Sequence, residues 1–320
     1  MNKKNHLLNY TLPELEEYFL EQGEKRYRGK QVFSWIYAKG ASHPTAMTDL
    51  PITLRENLTK KAEIWQSTIV QTTPSPEGDT IKFLLRLIDG KKIETVFIKE
   101  YKRFTVCVST QVGCALDCTF CATAQMGFFR NLTTGEIVEQ VLSVKRTTGE
   151  PVTNIVFMGM GEPFLNYDNV VRAADILSNQ NGLRIAARRI TISTAGIVPA
   201  IIRFTDEGHR YKLAVSLNSP DNKQRTLLMP LNKKYSIKKV IEAANYYTRH
   251  SNKKITLEYV LIQGINDRER DARELIRTVH GLRCKVNLIP FNSIDSTFMN
   301  PIKCLLMKPA QLHVKTLIWK

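Results

Sequence analysis

The chain has 320 residues, 43% of them hydrophobic and 24% charged, so it can form one large or about two ordinary globular domains. No apolar run approaches the roughly 18 residues that span a bilayer, and the N-terminus lacks a signal-peptide core, so we expect a cytoplasmic protein without a membrane anchor. The net charge of +16 favours a nucleic-acid partner, although many proteins are mildly basic without binding one.

Three helices are predicted in residues 1–75. The stretch "TLPELEEYFLEQG" begins with a capping box, Thr11 to Glu14, and stops at Gly23. The stretches "GKQVFSWIYAKG" and "ITLRENLTKKAEIW" show apolar residues at helical spacing. We therefore predict a small helical accessory domain at the N-terminus.

Two strand-like runs follow within residues 76–103. They are "TIKFLLRLI" and "KKIETVFIK", and Asp89-Gly90 between them is a strong hairpin signal. We predict a β-hairpin that links the helical domain to the rest of the chain.

Strands and helices alternate in residues 104–295. Six β-rich runs are separated by helical patterns: "FTVCVST", "TNIVFMGM", "RRITIST", "KLAVSLN", "TLEYVLI" and "KVNLIPF". This alternation predicts βαβ units in a partial or complete β/α barrel, with an open doubly wound sheet as the alternative. In either architecture ligands bind at the carboxyl ends of the strands. Polar residues or a glycine turn are predicted there: Gly161, Glu162, Ser193, Ser216, Asn218 and Asn292.

The stretch "GCALDCTFCATAQ" holds three closely spaced cysteines. Cys114, Cys118 and Cys121 follow the pattern C-x3-C-x2-C. In the reducing cytoplasm such a group binds metal or reacts more often than it forms disulfides. A structural zinc site needs a fourth ligand, and the nearest histidines, His43 and His209, are far away in sequence. An iron–sulfur cluster on three thiolates keeps one iron open, which is the favoured interpretation; a zinc-stabilised RNA-binding module is the alternative.

This loop, with an aromatic residue at Phe120, resembles the signature of the radical S-adenosylmethionine (SAM) enzymes. The wider block "CVSTQVGCALDCTFCATAQMGFFRNLTTGEIVEQV" resembles the RlmN-type adenine C2 methyltransferases of 23S ribosomal RNA and transfer RNA. The resemblance continues through "NIVFMGMGEPFLNYDNV", "ITISTAGIVP", "LAVSLNSP" and "VNLIPFN", and it spans roughly residues 10 to 295.

The resemblance implies a partial (β/α)6-type TIM barrel core with an N-terminal helical accessory domain that binds RNA. It implies a [4Fe–4S] cluster on the three cysteines, with SAM on the fourth iron. It also implies a monomer that takes electrons from a donor such as flavodoxin and its reductase. The matching SAM contacts are Gly161, Glu162, Ser193, Ser216, Leu217, Asn218 and Asn292. For the polar members of this set, capping of strand ends is the alternative.

Two further residues match catalytic positions of the family. Cys107 is implied to release the methylated base through a transient disulfide, although a cysteine in an apolar strand is more often part of the core. Glu94 matches a residue implied to accept a proton, and its alternative is a solvent-facing strand residue.

The family also has a methyl-carrying cysteine in a small-small-Cys-Gly motif after the "LIPFN" strand. This sequence has no such motif, and neither Cys284 nor Cys304 stands in that context. The segment 296–320 has no acidic residue and no clear period, which we interpret as a frameshift or premature stop in the gene. This departure counts against complete turnover. The alternatives are a divergent, catalytically silent RNA-binding paralogue and the related adenine C8 methyltransferases, which share nearly all these motifs.

Overall fold

The computed structural model describes residues 4–291 and a two-residue strand at 317–318. The predicted SAM contact Asn292 and most of the segment 296–320 lie outside the described residues. Within the described ranges, no helix is both long enough and apolar enough to cross a membrane.

The helices are α1 (Leu12–Glu21), α2 (Tyr27–Tyr37), α3 (Ile52–Lys61), α4 (Ala122–Gln125), α5 (Thr134–Thr148), α6 (Tyr167–Ser178), α7 (Val198–Asp206), α8 (Asn222–Leu228), α9 (Ile237–Ser251) and α10 (Glu269–Thr278). The strands are β1 (Asn5–His6), β2 (Ala62–Glu63), β3 (Thr68–Pro74), β4 (Thr80–Arg86), β5 (Lys92–Glu100), β6 (Arg103–Cys107), β7 (Gln111–Gly113), β8 (Phe128–Asn131), β9 (Asn154–Phe157), β10 (Ile190–Thr194), β11 (Lys212–Ser216), β12 (Ile255–Leu261), β13 (Cys284–Pro290) and β14 (Leu317–Ile318).

The chain forms two compact units, each assembled from separate stretches. The first unit comprises Met1–Val112, Arg130–Met160 and Asn166–Ile190. The second unit comprises Gly113–Phe129, Gly161–Leu165 and Thr191–Lys320. The candidate cluster and SAM residues belong to the second unit, and Glu94 and Cys107 belong to the first.

The three predicted N-terminal helices are present, but the bounds of two differ: α2 begins at Tyr27 rather than Gly29, and the third helix ends early. At the start of α1, Glu14 Oε2 accepts a hydrogen bond from Thr11 N at 2.9 Å, as the capping box predicts. The third helix was predicted to continue to Trp65, which is wrong: α3 ends at Lys61, and β2 then pairs in parallel with β1. The backbone partner supplied by β1 lies far away in sequence, so helical periodicity alone does not reveal it.

The sheet of the first unit has the strand order β3-β4-β5-β6-β9. The hairpin predicted at Asp89-Gly90 is present, since β4 and β5 pair in antiparallel register and Leu87 N donates to Lys91 O at 2.8 Å. Strand β6 is antiparallel to β5 and parallel to β9. The direction of the strands therefore changes at β6, which carries Cys107.

The sheet of the second unit consists of the parallel strands β10-β11-β12-β13, with β14 antiparallel at the edge. Consecutive parallel strands are joined by α7, by α8 and α9, and by α10, so these are the predicted βαβ units. All six strands predicted between residues 104 and 295 are present as β6, β9, β10, β11, β12 and β13.

One face of this second sheet is apolar and the other carries polar side chains. Ile192, Leu213 and Leu257 are fully buried on the first face. Ser193 pairs in register with Ala214, and Ser216 pairs with Glu258, on the opposite face. Because side chains alternate along a strand, the candidate residues of β10 and β11 share one face.

Candidate metal and cofactor site

The cysteine loop of the second unit is closed by its own backbone. Cys114 N donates to Gly127 O at 3.0 Å, and Cys121 N donates to Cys118 O at 3.1 Å. Thr119 N donates to Leu228 O at 3.0 Å, which fixes the loop to the end of α8. The three cysteines are therefore held on a defined loop.

The three thiols lie in a poorly solvated environment. Cys114 is buried, whereas Cys118 and Cys121 are half-buried. Burial, together with negative charge on neighbouring cysteines, raises the pKa of the Cys114 thiol to about 11 and that of the Cys118 thiol to about 12. A thiolate here needs a cation, because desolvation and the other thiolates both disfavour its charge.

The donor set fits a cluster better than a single metal ion. A zinc ion draws its thiolate ligands to about 2.3 Å. Within the described ranges, no three His, Cys, Asp or Glu side chains converge closely enough to hold one ion. Charge on Cys121 nevertheless raises the pKa of the Cys114 and Cys118 thiols, so the three thiols lie near one another. Three soft thiolates on one loop, without a fourth protein ligand beside them in sequence, suit an iron–sulfur cluster.

Apolar side chains surround this part of the loop. Ala195, Leu228, Met229 and Ile262 form a buried cluster, and Cys118 packs against it. Such a shell keeps water away from a metal group and lowers the local dielectric.

Glu162 follows the turn at Gly161 and organises the chain beyond β10. Its Oε2 accepts a hydrogen bond from Ala195 N at 2.7 Å, and its Oε1 accepts one from Phe164 N at 2.9 Å. The side chain is only 3% exposed. The carboxylate therefore fixes backbone beside β10, and Gly161 takes the left-handed φ of +96° that the turn requires.

We expect Glu162 to make the stability of the metal-free chain dependent on pH. Burial raises the pKa of its carboxyl from 4.5 to about 7, although backbone hydrogen bonds oppose this. Because the pKa is raised in the folded state, the neutral carboxyl stabilises the fold relative to the charged one. This contribution to stability is fully present below about pH 4.5 and is lost as the pH rises through about 7. The free energy of unfolding of wild type relative to Glu162→Gln should fall by about 3 kcal/mol between about pH 4 and 8. Urea unfolding measures this difference, and parallel pH profiles would contradict it.

The predicted SAM contacts on β10 and β11 differ in what they offer to a ligand. Ser193 is buried on the polar face, and Ser216 is half-buried at the end of β11. Leu217 is fully buried, and its backbone is engaged within the protein, since Leu217 N donates to Glu258 O at 2.9 Å and Leu217 O accepts from Ser219 N at 2.7 Å. Asn218 has a left-handed φ of +56°, and its Oδ1 accepts from Val260 N at 2.9 Å.

The Asn218 side chain is engaged within the protein. Its Nδ2 lies 3.3 Å from Met229 Sδ, and the residue is 1% exposed. Asn266 Nδ2 donates to Asn218 O at 2.7 Å. A hydroxyl of a ligand would have to replace these contacts, so the structure gives Asn218 a role in holding the end of β11.

Sequence reasoning missed two charged residues of the second unit. Glu258 pairs in register with Ser216, is 6% exposed, and accepts a hydrogen bond from Asn287 Nδ2 at 2.6 Å. Its signal was a carboxylate inside the otherwise apolar run "ITLEYVL". Arg225 lies in α8 and is fully buried, and the polar surroundings "DNKQRT" gave no sign of this.

Glu94 and Cys107 lie on the same face of the first unit's sheet. Cys107 pairs with Val96, which is two residues from Glu94 on β5. Glu94 is half exposed and forms an ion pair with Lys82, with Nζ and Oε1 2.9 Å apart. The register therefore brings the two predicted catalytic residues to one face, where the Cys107 side chain is half-buried.

We expect Cys107 to be a slow nucleophile in the free protein. Burial raises the pKa of its thiol to about 11, although a backbone hydrogen bond from Met158 lowers it. Since the thiolate is the reactive form, alkylation by iodoacetamide should accelerate about tenfold per pH unit up to about pH 11. At pH 8 the urea-unfolded chain should react about 100-fold faster at this residue. Peptide mass spectrometry measures both rates, and equal rates at pH 8 would contradict the raised pKa of Cys107.

Comparisons with known proteins match both parts of the chain. A family described as "Radical SAM superfamily" matches residues 108–276, and one described as "Ribosomal RNA large subunit methyltransferase N-terminal domain" matches residues 5–64. The chain is 43% identical over 293 residues to the probable dual-specificity RNA methyltransferase RlmN of Dictyoglomus thermophilum, covering 91% of this chain and 84% of that protein. It is 44% identical over 293 residues to the protein of that name from Alkaliphilus oremlandii, covering 92% and 85%.

A solved structure is similar over nearly the same length. It is the crystal structure of a radical SAM methyltransferase from Sphaerobacter thermophilus, with 46% sequence identity and a TM-score of 0.88, covering 91% of this chain and 86% of that chain. The predicted α/β fold class, a radical SAM core preceded by an N-terminal domain, is thereby confirmed.

Proposed function

Since this chain belongs to the radical SAM superfamily and, within it, to the RlmN methyltransferases, we propose that it acts on C2 of adenine in 23S ribosomal RNA and transfer RNA. The predicted family, the enzymatic character and the cofactors, a [4Fe–4S] cluster and SAM, follow from that membership. The two RNA substrates fit the dual-specificity name of the relatives and the net charge of +16. We place the reaction in the cytoplasm.

The three-cysteine loop is the observation that carries this proposal. Cys114, Cys118 and Cys121 would hold three irons of the cluster, and an iron without a protein thiolate would remain for SAM. When bound, the cluster and SAM supply radical chemistry, which an electron-poor carbon such as adenine C2 requires. The protein's own contribution is to bind both groups, orient them and exclude water.

The polar face of the second unit is the proposed SAM surface. Ser193 and Ser216 offer hydroxyl groups, and Gly161 offers its backbone at a turn. Leu217 is proposed as a contact at the end of β11 on the strength of the resemblance. Glu162 and Asn218 keep these segments in place through their hydrogen bonds to Ala195 N and Val260 N. Asn292, which lies outside the described residues, is proposed as a further contact on the strength of the resemblance alone.

Cys107 and Glu94 are proposed to act on the RNA base. A cysteine can release a product by attack on a bond to another protein group, and that step requires its thiolate. Because burial raises the pKa of Cys107, the step needs a base. Glu94 lies on the same face of the sheet, where its Oε1 pairs with Lys82 Nζ at 2.9 Å, and we propose it as the proton acceptor.

Methyl transfer requires one further group. The resemblance implies a methyl-carrying cysteine in a small-small-Cys-Gly motif, which these 320 residues do not contain. We propose that this chain carries out SAM cleavage, and that methylation of adenine depends on a cysteine in that role. A silent RNA-binding protein is the second candidate, and the acid-free, aperiodic segment 296–320 is the observation that favours it.

Two measurements test the proposal. Anaerobic reconstitution should give about four irons and four sulfides per chain, and reduction with SAM should release 5′-deoxyadenosine; zinc without sulfide would contradict the cluster. Mass spectrometry of ribosomal and transfer RNA from cells with and without the gene identifies the methylated carbon. Gene-dependent 2-methyladenine supports C2, 8-methyladenine would assign the C8 reaction, and unchanged RNA would favour the silent binder.

Three further measurements address the electron donor, the oligomeric state and the C-terminus. Flavodoxin with its reductase should replace a chemical reductant in the cleavage assay, and gel filtration should show the proposed monomer. Translation of the downstream DNA in all frames checks the frameshift: a small-small-Cys-Gly segment there would supply the cysteine.

A further inference from the structure

Arg225 is a buried cation whose partners are all uncharged oxygen atoms. It lies in α8 and its exposed fraction is 0%. Its guanidinium makes five hydrogen bonds, four to backbone carbonyls and one to the Asn232 side chain. A buried arginine usually pairs with a carboxylate, because desolvation of the charge is costly. This arginine therefore needs another explanation.

Three of these carbonyls belong to strand ends. Arg225 Nη2 donates to Ala195 O at 2.8 Å, directly after β10, and to Ser216 O at 3.2 Å, at the end of β11. Arg225 Nε donates to Leu217 O at 3.0 Å. One planar group thus bridges the carboxyl ends of two neighbouring parallel strands, and its fixed fork sets their separation.

The bridged segments are those proposed to bind SAM. Ser216 and Leu217 are proposed contacts, and Ala195 lies two residues after Ser193. The backbone N–H of Ala195 also donates a hydrogen bond to Glu162 Oε2. The Ala195 peptide is therefore fixed from both sides, by Glu162 at its nitrogen and by Arg225 at its oxygen.

The helix that carries Arg225 also holds the cysteine loop. Thr119 N, which lies between Cys118 and Cys121, donates to Leu228 O at the end of α8 at 3.0 Å. Arg225 and the cysteine loop are therefore fixed to the same helix.

We propose that Arg225 is a positioning residue for SAM, which holds the carboxyl ends of β10 and β11 in the arrangement that binds it. This inference rests on the proposed function, because it assumes that SAM binds at these strand ends. Arg225 itself touches neither the substrate nor the reacting atoms; it acts through Ala195, Ser216 and Leu217.

The test compares Arg225→Lys and Arg225→Met with wild type after cluster reconstitution. The readout is the SAM concentration that half-saturates the change in the electron paramagnetic resonance spectrum of the reduced cluster. Lysine keeps the positive charge but lacks the planar guanidinium that donates to several carbonyls, so half-saturation should require about tenfold more SAM. Methionine lacks both the charge and the donors, so half-saturation should require about 100-fold more SAM. Iron content should stay near the wild-type value in Arg225→Lys.

The matched control is Arg268→Met. Arg268 also donates to a backbone carbonyl, that of Ile265, but it is partly exposed and bonds to Asp271 rather than to a strand end. The SAM concentration that half-saturates the spectral change in this variant should equal that of wild type.

Each outcome decides the inference. Unchanged SAM half-saturation in Arg225→Lys would overturn it, and so would loss of cluster loading in that variant, since a general role in folding would then suffice. An equal loss of SAM affinity in Arg268→Met would also overturn it. If wild type itself shows no spectral change with SAM, the proposed function fails instead, which separates the two.

Discussion

Cys118→Ala is expected to abolish the cluster, reducing iron from about four per chain to less than about one. Cys118 is the middle cysteine of the loop and packs against the buried apolar cluster of Ala195, Leu228, Met229 and Ile262. An alanine leaves two thiolates in the loop, which are too few to hold four irons. Release of 5′-deoxyadenosine should fall by at least about 1,000-fold, because cleavage depends entirely on the cluster. Iron and sulfide analysis and chromatography of the nucleoside measure both effects.

Cys284→Ala is the matched control for this variant. Cys284 is also a buried thiol of the second unit, but it starts β13 and lies outside the loop. Its loss should cost about 1–2 kcal/mol of stability from the small cavity and leave iron content unchanged. Retention of four irons by Cys118→Ala, or an equal loss of iron in both variants, would show that the loop does not hold the cluster.

The strands of this fold were predictable because their signals are local. Alternating or continuous apolar runs marked the strands, and Asp89-Gly90 marked the hairpin. The end of the third helix was not predictable, because β2 exists only through its pairing with β1. The paired residues Asn5 and Ala62 are 57 positions apart in sequence. Pairing between segments that are distant in sequence leaves no strand periodicity in the short segment that forms β2.

The presence of three cysteines on one loop and of polar residues at the neighbouring strand ends was predictable. Cysteine spacing is a local property, so the sequence alone was enough to propose the ligand set, which stays a prediction. The role of each polar residue could not be predicted. Asn218 has the sequence position of a ligand contact, yet its side chain accepts a hydrogen bond from Val260 N. Arg225 looks like a surface residue of a polar helix, yet it is fully buried. Burial and partners of a polar side chain depend on tertiary packing.

Gly113→Ala is expected to prevent the cysteine loop from closing. A Cβ at this position would lie 1.8 Å from Gly127 O, the atom that accepts the hydrogen bond from Cys114 N. The residue also has a φ of +76°, which costs an L-residue about 1–2 kcal/mol. Backbone atoms cannot move aside as a flexible side chain can, so the loop must open. We expect more than about 3 kcal/mol of destabilisation and at least a tenfold loss of cluster loading.

Gly127→Ala separates the effect of conformation from that of contact. Gly127 has a similar φ of +69°, but nothing lies within 4 Å of the added Cβ. This variant should lose only about 1 kcal/mol and reconstitute its cluster normally. Thermal unfolding and iron analysis of the two variants test the difference. If both variants lose the cluster equally, the strain of a left-handed φ alone accounts for the loss. The close approach of Gly113 to Gly127 O would then not be what positions Cys114.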